Sequence, residues 1–333
     1  MPEVLRRVVV VGGGSGSFSV LSGLRNRVWC QSIVSMMDSG GDSGLLRDMF
    51  GVLPPGDVRR CLVALSTESE LLRNLFSFRF EEEPFAGRNF GNLFILALTR
   101  ALGSEAKAID AMGRILKIHG EVLPVTYDHS HLHAECEDGA VIEGESAIDR
   151  RASVRPPGVP IRRVYLSPAA RANPEALAAI GSAEAVVLAP GDMFTSTLPN
   201  LVVDGIADAI ARTPAPLLYV VNLMTKHGET DGWSASRHVA EIAKYCKRVP
   251  DSVLAHRGGV PEPLLHGYES EHAAEVVVDE PAIRALGVSR VLRENVMSAT
   301  SVVRHDPERT ADALCRLIAE AFQRAGSTIP REK

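Results

Sequence analysis

Four consecutive valines at positions 8–11 run straight into Gly12-Gly13-Gly14-Ser15-Gly16. A β-branched run of this kind suits an extended segment buried on both faces, and glycine then lets the backbone turn sharply at its carboxyl end. Phe18, Leu21 and Leu24 follow at helical spacing, which predicts a helix over 17–26. A second apolar run over 32–37 ends at Asp38 and another glycine-rich segment. Strand, glycine loop, helix, strand, glycine loop is how a doubly wound α/β sheet begins, so the expected fold class is α/β with a Rossmann-like, mainly parallel sheet.

Between residues 58 and 118 apolar residues recur three and four apart, predicting a helical insert with helices over 58–66, 70–76, 92–102 and 106–116. The period then changes to two over 121–145, and Asp138-Gly139 is a strong hairpin pair, so a small β-ribbon is expected over about 120–146. Pro156-Pro157-Gly158 and Pro160 punctuate the middle of the chain. Alternation then resumes, with strands expected at 163–166, 185–188 and 217–221 and helices at 174–180 and 201–211, all extending the same sheet. Ala311, Leu314, Leu317, Ile318 and Ala321 form one stripe of an amphipathic helix over 306–325. We expect a single domain over residues 1–330.

Composition narrows the function. Lys and Arg number 36 against 41 Asp and Glu, a net charge of −5, so the basic footprint of a nucleic-acid binder is missing. Aromatic residues make up 5%, too few for a base-stacking surface. The five cysteines are scattered with no C-x-x-C spacing, as in reducing compartments. The apolar run before Gly12 is too short for a signal-peptide core or a bilayer span. A soluble cytoplasmic protein without membrane insertion is expected, and its 28 glycines are the residues to follow.

In the first loop the backbone N–H groups of Gly12, Gly13, Gly14, Ser15 and Gly16 can converge on a phosphate; the alternative is a tight turn with no ligand. Ser17 stands where the dinucleotide fingerprint G-x-G-x-x-G needs its last glycine, although Asp38 occupies the usual place of the ribose-binding acid. A nicotinamide oxidoreductase therefore stays open as a third reading. No Gly-Lys pair exists for a Walker loop, and no G-x-S-x-G elbow exists for a hydrolase triad. In the second loop Gly40, Gly41 and Ser43 add phosphate donors, while Asp38 can accept from a substrate hydroxyl or hold Mg²⁺; alternatively Asp42 or Ser43 simply caps a helix beginning near residue 45. Asp57, after Pro54-Pro55-Gly56, is either an N-cap or a second catalytic carboxylate beside Asp38. A third loop carries Gly191, Thr195 and Ser196, and a fourth carries Asn222 and Thr225. All would meet at one edge of the sheet, where open α/β folds bind ligands. His129, His131 and His133 alternate and offer either a metal site or exposed ribbon imidazoles. Arg150-Arg151 and Arg162-Arg163 read as a solvated basic surface or as a contact with an acidic neighbour in a homo-oligomer.

These motifs, in order, resemble the CofD-like superfamily and within it the YvcK, or gluconeogenesis-factor, branch. The resemblance rests on GGGSG at 12–16, DSGGDSGLLR at 38–47, VLPPGDVRRCLVALS at 52–66 and GNL at 91–93. It continues with VLPVT at 122–126, GES at 144–146, PG and TS within 190–196, PNLVVDGI at 199–206 and NLMT-x-x-GET at 222–230. It implies a Rossmann-like core with the site at the strand carboxyl ends. In the CofD branch a phospholactyl group moves from a guanosine-diphosphate-linked donor to a deazaflavin hydroxyl with Mg²⁺. In the YvcK branch the implied ligand is a UDP-sugar, and the implied role is support of cell shape during gluconeogenic growth.

That branch also implies that Tyr268 and Arg304 flank the UDP-sugar. Arg304 has independent logic, since a guanidinium forks onto a diphosphate; the alternative is a surface ion pair to Asp306 or Glu308. Ser39 and Asp42 depart from the resemblance, which has a second aspartate and a serine there. Asp192 likewise replaces a serine, putting a negative charge near the expected phosphate. Pro307 stands where some relatives carry a regulatory threonine.

Overall fold

A computed structural model of the chain describes residues 6–150, 158–299 and 302–327; Arg151, Pro156 and Pro157 lie outside them. The valine run forms β1 (Arg7–Gly12), with no exposed surface on Val8 to Val11, and passes through the glycines into α1 (Gly14–Leu24). β2 (Trp29–Val34) follows, and then α2 (Gly41–Phe50), α3 (Gly56–Leu65), α4 (Glu70–Ser77), α5 (Phe90–Leu102) and α6 (Glu105–Ile115) precede β3 (Gly120–Pro124). A hairpin of β4 (His131–Cys136) and β5 (Val141–Glu143) leads to α7 (Glu145–Asp149) and β6 (Ile161–Ser167). Next come α8 (Pro174–Ser182), β7 (Ala185–Leu188), a π-helical turn (Met193–Thr197), α9 (Leu198–Leu201), α10 (Ile206–Arg212) and β8 (Leu217–Val220). The last third contains α11 (Ala235–Cys246), β9 (Ser252–His256), α12 (Glu262–Ser270), α13 (Glu280–Ala285), β10 (Arg290–Glu294), β11 (Met297–Ala299), β12 (Val303–His305) and α14 (Pro307–Ser327).

Seven strands form one parallel sheet in the order β10-β9-β8-β7-β1-β2-β3. The chain winds outward from β1 to β3, then returns to the other side of β1 with β7 and winds out to β10. Winding reverses between β1 and β7, so the loops leaving these two strands diverge and open a crevice. β7 and β8 read Ala-Val-Val-Leu and Leu-Leu-Tyr-Val and are buried throughout, as strands covered on both faces must be.

The expected ribbon over 120–146 is divided between two sheets. Val122, Leu123, Pro124 and Val125 form a near-continuous apolar run, and β3 accordingly pairs with β2 in the large sheet. Only β4 and β5 form the hairpin, and the segment 163–166, expected in the large sheet, belongs to β6 and pairs antiparallel with β4. Its alternating burial suits a sheet covered on one face. The helix expected over 201–211 is two helices, because Gly205, with φ +102°, breaks it. α1 and α2 begin earlier than expected, at Gly14 and Gly41, since both glycine loops run directly into helix. Arg162 and Arg163 both pair with Glu135 of β4, so their acidic partner lies in the same small sheet. Among the described residues no helix is long and apolar enough to cross a membrane.

Pro307 occupies the first position of α14, where its missing N–H costs nothing. Its carbonyl oxygen lies only 2.0 Å from the point where a Cβ on Gly23 of α1 would sit. Gly23→Ala therefore forces α1 and α14 apart and should lower stability by about 1–3 kcal/mol in urea unfolding; an unchanged midpoint would mean that the two helices do not seat this closely.

Candidate functional site

A cleft of about 710 Å³ lies at the carboxyl ends of the sheet. Ser15 and Gly16 line it from α1, Gly191 and Asp192 from the loop after β7, and Asn222, Thr225 and Lys226 from the loop after β8. Tyr268, Arg304 and His305 complete it from the last third of the chain.

The first-loop glycines let segments approach, and the helix start supplies the donors. A Cβ on Gly16 would sit 1.9 Å from the Pro190 carbonyl oxygen, and one on Gly12 would sit 2.5 Å from Ser17 Oγ and 3.1 Å from Ala189 Cβ. Gly13 is pressed against Asp57 in the same way, and Gly14 adopts φ +67°. α1 has no side-chain cap at Gly13, so its first-turn N–H groups carry the positive end of the helix dipole. The Gly14 N–H is taken by Asp57 Oδ2 at 3.1 Å, whereas Ser15 and Gly16 border the cleft.

Asp38 and Asp57 stand outside the cleft lining. Asp57 is not the N-cap of α3, whose cap position is Pro55. Its carboxyl bridges to the first loop, and burial, helped by the charge of Asp38 and opposed by Arg60, raises its pKa. Asp38 Oδ1 accepts from the Gly40 N–H at 2.8 Å, and Ser43 is buried against Gly56. Gly40 packs on Ser146, and Gly41 takes φ +45° at the helix start. Asp42 neither caps α2 nor faces the site: it accepts from the Asn89 N–H at 3.0 Å and Asn92 Nδ2 at 2.8 Å, anchoring the start of α5.

The third and fourth loops are braced to each other. Asn222 Nδ2 donates to the Gly191 carbonyl at 2.7 Å and its Oδ1 accepts from the Gly191 N–H at 3.3 Å. Thr225 Oγ1 accepts from the Ala274 N–H at 2.9 Å, Thr195 Oγ1 lies 3.5 Å from Glu229 Oε1, and the Ser196 N–H donates to the Asp192 carbonyl. Asn222 and Thr225 thus border the cleft as structural ties. Sequence reasoning missed Lys226, Asp149, Glu145 and Glu229. Lys226 Nζ lies 2.9 Å from Asp149 Oδ1 and 3.6 Å from Asp192 Oδ2. Burial works against its charge, but the carboxylates of Asp192 and Asp149 outweigh it and hold its pKa up.

Among the described residues, only Asp149, Asp192 and Glu229 gather carboxylate oxygens within 4.8 Å of one another. They do not suit a resident Mg²⁺ as they stand, because the Lys226 ammonium already occupies Asp149 and Asp192, and Glu229 accepts from the Phe194 N–H at 3.1 Å. Asp38 belongs to no such set, and neither do the three histidines, of which His133 stacks on Tyr165.

Tyr268 sits on α12, and its hydroxyl accepts from the Val303 N–H at 2.9 Å, fixing β12. His305 Nε2 donates to the Val221 carbonyl at 3.2 Å; burial pulls its pKa down to about 4, so it is neutral. Between these ties Arg304 is exposed, and its guanidinium has no partner among the described residues. Neither expected salt-bridge acid is engaged with it: Glu308 pairs with Arg27, and Asp306 accepts from the Arg309 N–H.

Glu145 opens α7 and accepts from the Ser39 N–H at 3.4 Å. Burial first, then the charge of Asp38, raises its pKa from 4.5 to about 7. Between those values the folded protein holds a proton that the unfolded chain releases, so the stability from this group falls as pH rises from 4.5 through 7. Glu145→Gln should remove about 1–3 kcal/mol of that decline, measured as the difference from wild type in urea unfolding at pH 5 and pH 7.5.

The family model described as 2-phospho-L-lactate transferase CofD matches residues 8–297. The chain is 38% identical over 328 residues to the gluconeogenesis factor of Halalkalibacterium halodurans, covering 97% of this chain and 99% of that one. It is 34% identical to the gluconeogenesis factor of Bacillus subtilis, covering 94% and 98%. A crystal structure of a UPF0052-family protein from Bacillus halodurans superposes with a TM-score of 0.87 at 38% identity, over 93% of this chain and 99% of that one. With the crevice between β1 and β7, the loops around it and these matches all in agreement, the chain belongs to the CofD family.

Proposed function

We propose that the protein binds a nucleoside-diphosphate sugar, with UDP-sugars as the first choice, and acts as a gluconeogenesis factor supporting cell shape under gluconeogenic growth. The observation that carries this reading is Arg304, a guanidinium with no partner among the described residues, lining the same cleft as Ser15 and Gly16 in the first turn of α1. A planar cation and a set of helix-terminal N–H groups are the two devices that bind diphosphates best. The cleft volume of about 710 Å³ suits a ligand of that size. Tyr268 spends its hydroxyl on Val303, which leaves its ring to flank the base or sugar. The relatives named as gluconeogenesis factors support the same assignment.

A second reading, a CofD-type phospholactyl transferase, is favoured by the family match over residues 8–297. The acceptor separates the two. A phosphodiester formed on a deazaflavin from an activated guanosine-diphosphate-linked donor with Mg²⁺ would establish the transferase.

Calorimetry with UDP-glucose and UDP-N-acetylglucosamine should show saturable binding. Arg304→Ala should weaken it about 10- to 100-fold, the worth of a charge-assisted fork, while the thermal midpoint stays unchanged. Failure of the wild type to bind any uridine or guanosine diphosphate sugar would rule the assignment out.

A further inference from the structure

Asp192 is the departure with the plainest electrostatic consequence, since it stands beside a cleft assigned here to a diphosphate. Its carboxylate is not left alone. Lys226, carried by the loop after the neighbouring strand, brings Nζ to 3.6 Å from Asp192 Oδ2 and 2.9 Å from Asp149 Oδ1, and it lines the cleft itself. The stem is held in place: the Lys226 N–H donates to Thr230 Oγ1 at 2.8 Å, and Thr225 is bonded to Ala274 through both its backbone N–H and its hydroxyl. An ammonium has three donors. Asp149 lies within hydrogen-bond distance and Asp192 at ion-pair distance, which leaves donors for a ligand oxygen.

Asp149 comes from α7, next to the small sheet, so a single ammonium joins three separate segments around the cleft. Removing it would leave the Asp149 and Asp192 carboxylates without their shared ammonium beside an incoming diphosphate, and like charges brought together in a partly desolvated cleft repel.

We propose that Lys226 is a ligand-binding residue of this cleft: its ammonium offsets Asp192 and donates to the diphosphate, so that Asp192 is tolerated beside the ligand only while Lys226 is present. This rests on the nucleotide-sugar reading above. It goes beyond that reading by making affinity depend on the pair rather than on either residue alone.

The test is a double-mutant cycle of wild type, K226Q, D192S and K226Q/D192S, with K226R as the conservative control. Binding of UDP-N-acetylglucosamine and of inorganic pyrophosphate is measured by calorimetry at fixed ionic strength. K226Q should bind at least about ten-fold more weakly, D192S as tightly as wild type or tighter, and the double variant about three-fold or more tighter than K226Q but weaker than wild type, since the repulsion from Asp192 is relieved while the ammonium's bond to the ligand stays lost. K226R should keep most of the affinity. Lys226 is about a third exposed, so the substitutions leave the core untouched. K226Q binding like wild type, or a double variant as weak as K226Q, would overturn the role of Lys226 while leaving nucleotide binding intact. A wild type that binds neither probe overturns both.

Discussion

The site depends on one close approach between two stretches of backbone. Gly16 lies so near the Pro190 carbonyl that no side chain fits between them, and Gly12 meets Ala189 just behind. These contacts bring the start of α1 against the loop leaving β7, at the point where the winding of the sheet reverses. The remaining ties run outward from there. Asn222 grips Gly191, His305 holds the end of β8, and Tyr268 holds β12. A row of otherwise independent loops is thereby turned into a single wall, which is what an ordered binding site needs.

An acidic protein with several carboxylates near one cleft must manage its charges locally. The carboxylates around this one are handled in different ways. Asp42 is spent on the start of α5, and Asp149 and Asp192 share one lysine. Burial raises the pKa of Asp57, of Glu145 and of Glu229, the last pushed further by Asp192. Arg304 faces the cleft with no partner among the described residues. Net charge, the property most easily read from composition, therefore says little about what this surface attracts.

Much of the architecture was legible because it is written in local patterns. The valine run, the glycine loops at strand ends and the helical periodicities up to residue 116 all correspond to elements, with boundaries shifted by a few residues. β9 and β10 are hidden, since Ser-Val-Leu-Ala-His and Arg-Val-Leu-Arg-Glu are short runs with only three and two apolar residues, closed by polar ones. The division of residues 120–146 between two sheets was also hidden, because pairing partners far along the chain decide it. At the site, glycines and Arg304 could be named from motifs. Lys226, Asp149 and Glu145 could not, as their importance comes from meeting one another across loops that no spacing rule connects. The same limit explains Asp42, which reads as a cap of its own helix from its neighbours in sequence and anchors the start of α5 from its neighbours in space.

The tie between Tyr268 and Val303 brings the last described strand beside the first helix of the chain. During synthesis β1, its glycine turn and α1 are complete long before Arg304 exists, so the cleft gains its guanidinium late in the folding of this domain. A ligand held by both would act as a clasp between segments far apart in sequence, and occupancy of the cleft would stabilise the folded chain as a whole.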